Sequence, residues 1–161
     1  MTIKVGDKMP DGQFMVMGEG GPQALSTAEL FGGKKVVLFG LPGAFTPTCS
    51  NKHVPGFVQN ADALKAKGVD TIACMSVNDA FVMGAWGKDQ KAGNKVMMLA
   101  DGSAEYTGKL GLDLDLSARG LGRRCKRFSL LVDDGVVKSL NIEENPGEAV
   151  ASGAETMLKQ V

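Results

Sequence analysis

The chain is short of cysteine, holds one histidine and carries no net charge, and each shortage excludes a class of protein. Three cysteines, Cys49, Cys74 and Cys125, are too few and too odd in number for a disulfide scaffold in 161 residues. His53 is the single histidine, so no Cys/His cluster with zinc spacing exists. Lys plus Arg is 18 and Asp plus Glu is 18, which gives no electrostatic reason to expect nucleic acid or an anionic membrane as a partner. No apolar run reaches the roughly 18 residues of a membrane-spanning helix. Residues 1–7 lack the apolar core of a secretion signal, although they also fit the mature end of an imported protein. The thiols therefore read as those of a cytoplasmic protein, either structural or reactive.

What the sequence does have is glycine, 22 of them, placed at turns rather than in one tract. With no repeat, low-complexity tract or linker, residues 1–161 read as one domain. Ser26 and Glu29 form a capping box for a short helix from Thr27 to about Gly32. Lys35–Gly40 is a continuous apolar strand, as in a sheet covered on both faces. A helix is expected from near Cys49 to Lys67, with Gly68 as its stop. Phe57, Ala61 and Leu64 share one of its faces, and Pro55 should kink or break it near Asn51. Residues 69–77 read as a second buried strand, and Asn78 as the cap of a helix over residues 79–90. A strand over residues 95–99 and a helix over 103–110 follow, then an irregular loop over 113–122. Residues 127–132 and Val136–Ile142 flank Asp133-Asp134-Gly135, a hairpin signal. Ser152 and Glu155 make a second capping box for a C-terminal helix. Parallel crossover units followed by an antiparallel pair predict an α/β protein with a central mixed sheet flanked by helices, the element order of the thioredoxin-like fold.

Cys49 stands where the first buried strand has ended and a helix begins. Free backbone N–H groups and the positive end of a helix dipole favour a thiolate at such a junction. The thiolate is the nucleophile needed to attack an O–O bond, and the departing oxygen needs cationic and hydrogen-bonding groups aimed at it. Thr46, three residues earlier, can bring a hydroxyl to the sulfur or the peroxide; Pro42 and Pro47 stiffen the turn, and Pro42 can shield the thiolate. The run Arg123-Arg124-Cys125-Lys126-Arg127 opens a strand and offers the cation.

These residues resemble the peroxiredoxins. Pro42-x-x-x-Thr46-x-x-Cys49 matches their active-site signature. The text from Pro42 to Phe57, with His53-Val54-Pro55-Gly56-Phe57, is similar to the type II branch that includes the plant type II and peroxiredoxin-five-like enzymes. The similarity continues through residues 74–82, 99–103 and 126–129. The resemblance implies Cys49 as the peroxidatic cysteine, Thr46 as its hydroxyl partner, Pro42 as the shield and Arg127 as the activating arginine. It implies reduction of hydrogen peroxide and alkyl hydroperoxides through a sulfenic acid, with no metal or prosthetic group. It also implies regeneration by glutathione with glutaredoxin, or by thioredoxin, and often a homodimer. Phe45 and Trp86 fall where the family packs its pocket rim or dimer contact.

The resolving thiol stays open. Part of the family carries a cysteine before the C-terminal helix, and residues 145–152 here have none. Cys74 reads as a small buried hydrophobe in mid-strand, although a plant-type route would use it. Cys125, two residues from Arg127, would share its side of a regular strand, with Arg124 and Lys126 lowering its pKa. A one-cysteine route needs neither. His53, a turn after Cys49, invites a Cys–His dyad but reads better as a pocket wall. Arg123 and Arg124 read as solvated or paired with Asp residues, with Arg124 the alternative cation should Arg127 point away. Thr46-x-x-Cys49 lacks the second cysteine of a disulfide oxidoreductase; a peroxide sensor or holdase is the rival use of the same thiol.

Overall fold

The computed structural model describes residues 2–145 and 147–161. The chain opens with two strands that the sequence reading did not anticipate. They are β1 (Gln13–Gly18) and β2 (Gly21–Ser26), paired antiparallel over their whole length. Helix α1 (Thr27–Phe31) follows, with the expected capping box: Ser26 Oγ accepts from Glu29 N, and the Glu29 carboxylate accepts from Ser26 N. Strand β3 covers Lys35–Gly40, as read from its apolar run. Beyond the active-site turn lie helix α2 (Val54–Ala66), strand β4 (Thr71–Ser76), helix α3 (Ala80–Asp89) and strand β5 (Met97–Ala100). Helix α4 (Glu105–Leu110), strands β6 (Asp113–Asp115) and β7 (Arg123–Cys125), the hairpin β8 (Phe128–Asp133) and β9 (Val136–Ile142), and helix α5 (Ala154–Leu158) complete it.

Seven strands form one sheet in the order β2-β1-β5-β4-β3-β8-β9. Only β3–β4 and β4–β5 pair in parallel, the rest antiparallel, so the sheet is mixed as expected. Strand alternation divides the core. Val37 and Phe39 face a layer that holds Cys49, Phe57, Leu64, Trp86 and Met157. Val36 and Leu38 face the other layer, with Phe14, Phe31, Tyr106, Leu110 and Phe128. The site is thus built on the face covered by α2, α3 and α5. Phe39 also stacks on Phe57, 4.1 Å between ring centroids, which locks the strand that leads into the site to the helix that leaves it.

Five local expectations are corrected. The cap of α3 is Asp79, whose carboxylate accepts from Val82 N; of two adjacent Asx residues only one can occupy the cap, and Asn78 turns elsewhere. Helix α4 starts later than residue 103, because the buried Asp101 carboxylate accepts from Tyr106 N, Thr107 N and Thr107 Oγ1. The stretch 113–122 is not wholly irregular: Asp113–Asp115 pairs with Arg123–Cys125 in a small separate sheet. The basic run therefore does not open β8, which begins at Phe128. Finally, Ser152 does not cap α5. Its N–H and Oγ both donate to the Glu143 carboxylate, a charged acceptor that outcompetes the helix.

Gly40 ends β3 opposite Phe128. A Cβ there would lie 2.2 Å from the Phe128 ring, which is fully buried and has nowhere to move. Gly40→Ala is expected to lower unfolding free energy in urea by at least about 1–3 kcal/mol, the usual cost of overpacking. An unchanged midpoint would show that the ring can yield.

Candidate active site

The turn from Leu41 to Thr48 carries the thiol out of the sheet. Its shape is set from both sides. Asn78 Oδ1 accepts from Ala44 N at 2.9 Å and from Ser76 Oγ at 2.7 Å, tying the turn to the end of β4. Arg124 donates from Nη1 to the Pro42 carbonyl at 3.2 Å and from Nε to the Leu121 carbonyl at 2.8 Å. Arg124 is thus a brace for the backbone of the turn, while its neighbour Arg123 pairs with Asp113 on the surface. Phe45 holds a left-handed conformation, φ 63°, which leaves its ring half-exposed against Trp86. A bulky residue in that region costs about 1–2 kcal/mol, so the turn is held by its contacts rather than by local preference.

Cys49 begins a five-residue π-turn, Cys49–His53, joined without a gap to α2. The expected break at Pro55 takes this form. Proline has no N–H to give the ladder, and one extra residue is wound into the turn before it, where Val54 N donates to the Cys49 carbonyl. Trp86 Nε1 donates to Ser50 Oγ at 3.1 Å and so holds the turn from α3. Thr48 Oγ1 donates to the Gly147 carbonyl, which links the turn to the C-terminal segment.

The Cys49 sulfur is fully buried, and Arg127, 3 % exposed, reaches it from across the sheet: Nη2 donates to Sγ at 3.2 Å. The second guanidinium nitrogen, Nη1, lies 3.0 Å from His53 Nδ1, and His53 Nε2 lies 2.9 Å from the Ser152 carbonyl. A carbonyl oxygen only accepts, so Nε2 carries the imidazole proton and Nδ1 accepts from the arginine. Burial, and then the Arg127 charge, push the His53 pKa down to about 3. A neutral imidazole that takes its hydrogen bond from Arg127 has no role as a base for Cys49; it holds the cation. Thr46 Oγ1 donates to the Gly43 carbonyl at 2.7 Å, so its proton is committed within the turn and its lone pairs remain to accept. Pro42 is buried.

The other two thiols make no hydrogen bond to this arrangement, although both lie close enough to feel the charge of Cys49. Cys74 is in the same core layer, in mid-strand on β4 beside Phe39 of β3. Burial pushes its thiol pKa well up. Cys125 does not share the side of a strand with Arg127. The chain leaves β7 at Cys125 and enters β8 at Phe128, so alternation does not run through this pair, and Cys125 packs in the opposite layer. Its pKa is raised by burial rather than lowered by Arg124 and Lys126. Among the described residues no group of three or more His, Cys, Asp or Glu could hold a metal ion.

Asn78, Glu143 and Ser152 escaped the sequence reading. Asn78 and Ser152 showed only a local signal, a cap and a capping box, and Glu143 showed none; each works instead across 9 to 99 residues of chain.

A thiol at the head of a helix, on one face of a mixed thioredoxin-fold sheet and under a guanidinium, defines a thiol-dependent redox protein. The Redoxin family model matches residues 4–158. Peroxiredoxin-2C of Oryza sativa subsp. japonica is 56 % identical over 98 % of this chain and 97 % of its own. Chloroplastic Peroxiredoxin-2E of Arabidopsis thaliana is 54 % identical over 98 % of this chain and 69 % of its own. The solved structure of reduced Prx3 in complex with H2O2 from Vibrio vulnificus superposes with a TM-score of 0.93, at 49 % identity and 98 % coverage of each chain. The chain belongs to the Redoxin family and, within it, to the type II peroxiredoxins, which makes it an antioxidant thiol peroxidase.

Proposed function

We propose that Cys49 is the peroxidatic thiol, acting on hydrogen peroxide and alkyl hydroperoxides. The observation that carries the assignment is the 3.2 Å approach of Arg127 Nη2 to Cys49 Sγ inside a closed core. The guanidinium puts a charged donor on the sulfur, where charge develops when an O–O bond is broken. The sulfur attacks one peroxide oxygen, an S–O bond forms as the O–O bond breaks, and sulfur is oxidised to the sulfenic acid. The departing oxygen leaves as water or an alcohol once it has taken a proton. Arg127 donates to the developing negative charge, and Thr46, its own proton held by Gly43, accepts from the peroxide O–H. Pro42 keeps water from the sulfur. The hydrogen peroxide held by the Vibrio vulnificus relative supports this choice of substrate.

The sulfenic acid is resolved by an external thiol. Cys74 and Cys125 are both fully buried, and burial disfavours the thiolate each would need. Glutathione, followed by glutaredoxin, attacks the sulfenic sulfur, forms a mixed disulfide and releases water; thioredoxin is the alternative reductant. Half-exposed Phe45, against Trp86, and strongly exposed Phe81 on α3 are apolar surface that supports a homodimer contact. Unpaired thiols suit the cytoplasm, and the same domain would serve in an organelle after import.

One equivalent of peroxide followed by glutathione should place glutathione on Cys49, with no 49–74 or 49–125 disulfide peptide on mass mapping. The Cys49→Ser protein should consume no peroxide. An internal disulfide would overturn the one-cysteine route, and full peroxide consumption by Cys49→Ser would overturn the assignment itself.

A further inference from the structure

Arg127 is gripped at both ends by one closed circuit of hydrogen bonds. Its carbonyl accepts from Glu143 N at 2.9 Å. The Glu143 carboxylate accepts from Ala151 N at 3.2 Å, Ser152 N at 2.9 Å and Ser152 Oγ at 2.7 Å. The Ser152 carbonyl accepts from His53 Nε2, and His53 Nδ1 accepts from the Arg127 guanidinium. Every donor in the circuit meets a group that can accept, with no choice of direction left. Ser152 and His53 are buried, so water offers neither a substitute partner, and Glu143 reaches them from the edge of a surface pocket.

We propose that Glu143 is a positioning residue for the peroxidase: by fixing the Ser152 carbonyl it sets the His53 tautomer, and through it the aim of Arg127 at Cys49. The circuit explains why a carboxylate sits against two backbone amides and a hydroxyl nearly out of solvent. A charge is the strongest anchor available for a backbone segment that has to present one carbonyl in one place. Without it, Ala151 and Ser152 lose the three bonds that seat them, and Ser152 no longer dictates which imidazole nitrogen carries the proton. With the proton on Nδ1, His53 would face the Arg127 donor with a donor, and the guanidinium would turn away from the sulfur.

The inference rests on the peroxidase reading of Cys49, but its first test does not. His53 is the only histidine, so the imidazole 15N spectrum of the whole protein is one spin system. At pH 7 it should show the neutral Nε2–H form alone in the native protein, and a mixture with Nδ1–H in Glu143→Ala. The rate of Cys49 oxidation by hydrogen peroxide should fall about tenfold or more in Glu143→Ala, the scale of a misplaced catalytic group. Glu143→Gln, which keeps one acceptor oxygen, should recover part of both signals, and it serves alone if the alanine protein does not fold. Thr156→Ala removes the bond from Thr156 Oγ1 to the Val150 carbonyl and loosens the same segment outside the circuit. It should keep the Nε2–H spectrum and a rate within twofold of the native one.

An Nδ1–H or charged imidazole in the native protein would overturn the proposal. So would an unchanged spectrum in a folded Glu143 variant, a rate within twofold of native in such a variant, or equal losses in the Thr156 and Glu143 variants. If native Cys49 itself fails to react with peroxide, the peroxidase reading falls, and the tautomer result still judges the circuit.

Discussion

Arg127→Gln should lower the second-order rate of Cys49 oxidation by hydrogen peroxide by about two to three orders of magnitude, the usual effect of deleting one preorganised donor at a charged transition state. Arg127 supplies two things from a buried position: a donor on the sulfur and a second donor on His53. Glutamine keeps neither the charge nor the two-pronged reach. Arg127→Lys restores charge from a single point and should fall between the two, because lysine cannot hold His53 and the sulfur together. The single tryptophan provides the readout, since Trp86 bonds to Ser50 beside the reacting sulfur and its fluorescence can be followed after rapid mixing with peroxide. A glutamine protein that reacts within threefold of the native rate would remove Arg127 from the chemistry.

Acidification should cost the fold about 2 kcal/mol between pH 7 and pH 5, and most of that loss should belong to one residue. His53 titrates at about 3 in the folded protein and near 6.5 when unfolded. Between those values the unfolded chain takes up a proton that the native protein refuses, so stability falls as pH drops through 6.5 and goes on falling toward 3. Each pH unit well inside that window is worth about 1.4 kcal/mol. The Glu143 carboxylate adds to the loss at lower pH. Its desolvation is outweighed by the bonds from Ser152, Ala151 and Val150, so its pKa is depressed and its stabilisation disappears as pH falls. With no other histidine in the chain, the upper part of the window isolates His53. Urea titrations at pH 7, 6 and 5 should show the decline in the native protein and a nearly flat line in His53→Gln. An equally steep line in the variant would assign the proton uptake elsewhere.

Much of the frame was legible because its causes are local. The apolar run Lys35–Gly40, the Ser26–Glu29 box and the Asp133-Asp134-Gly135 turn each decide their own structure within a few residues. Pro55 announced the broken helix by its missing N–H, although not the π form of the break. The placement of Thr46 and Cys49 on neighbouring turns of chain after β3 likewise follows from spacing. What stayed hidden lies where distant residues compete for one partner. Ser152 had the neighbours of a helix cap, yet Glu143, nine residues earlier, offered a charged acceptor. Asn78 looked like a cap, but Asp79 took that place and freed its amide for the active-site turn. Alternation linked Cys125 to Arg127 on paper, and the change of sheet between them put the thiol in the opposite layer. The β1–β2 pair was missed because its outer strand opens on Gly21 and Pro22 and holds no buried residue, so no buried run marks it.

The complete burial of Cys49 gives the two halves of the catalytic cycle different clocks. Hydrogen peroxide is scarcely larger than water and reaches the sulfur through small fluctuations of a closed protein. On the cycle proposed above, a tripeptide or a protein reductant is far too large for that path, and the Cys49–His53 turn would have to move for it to reach the sulfur. On that cycle, with abundant peroxide, how often the segment opens would set the ceiling on turnover, and an enzyme made more rigid there would strike faster than it could recover.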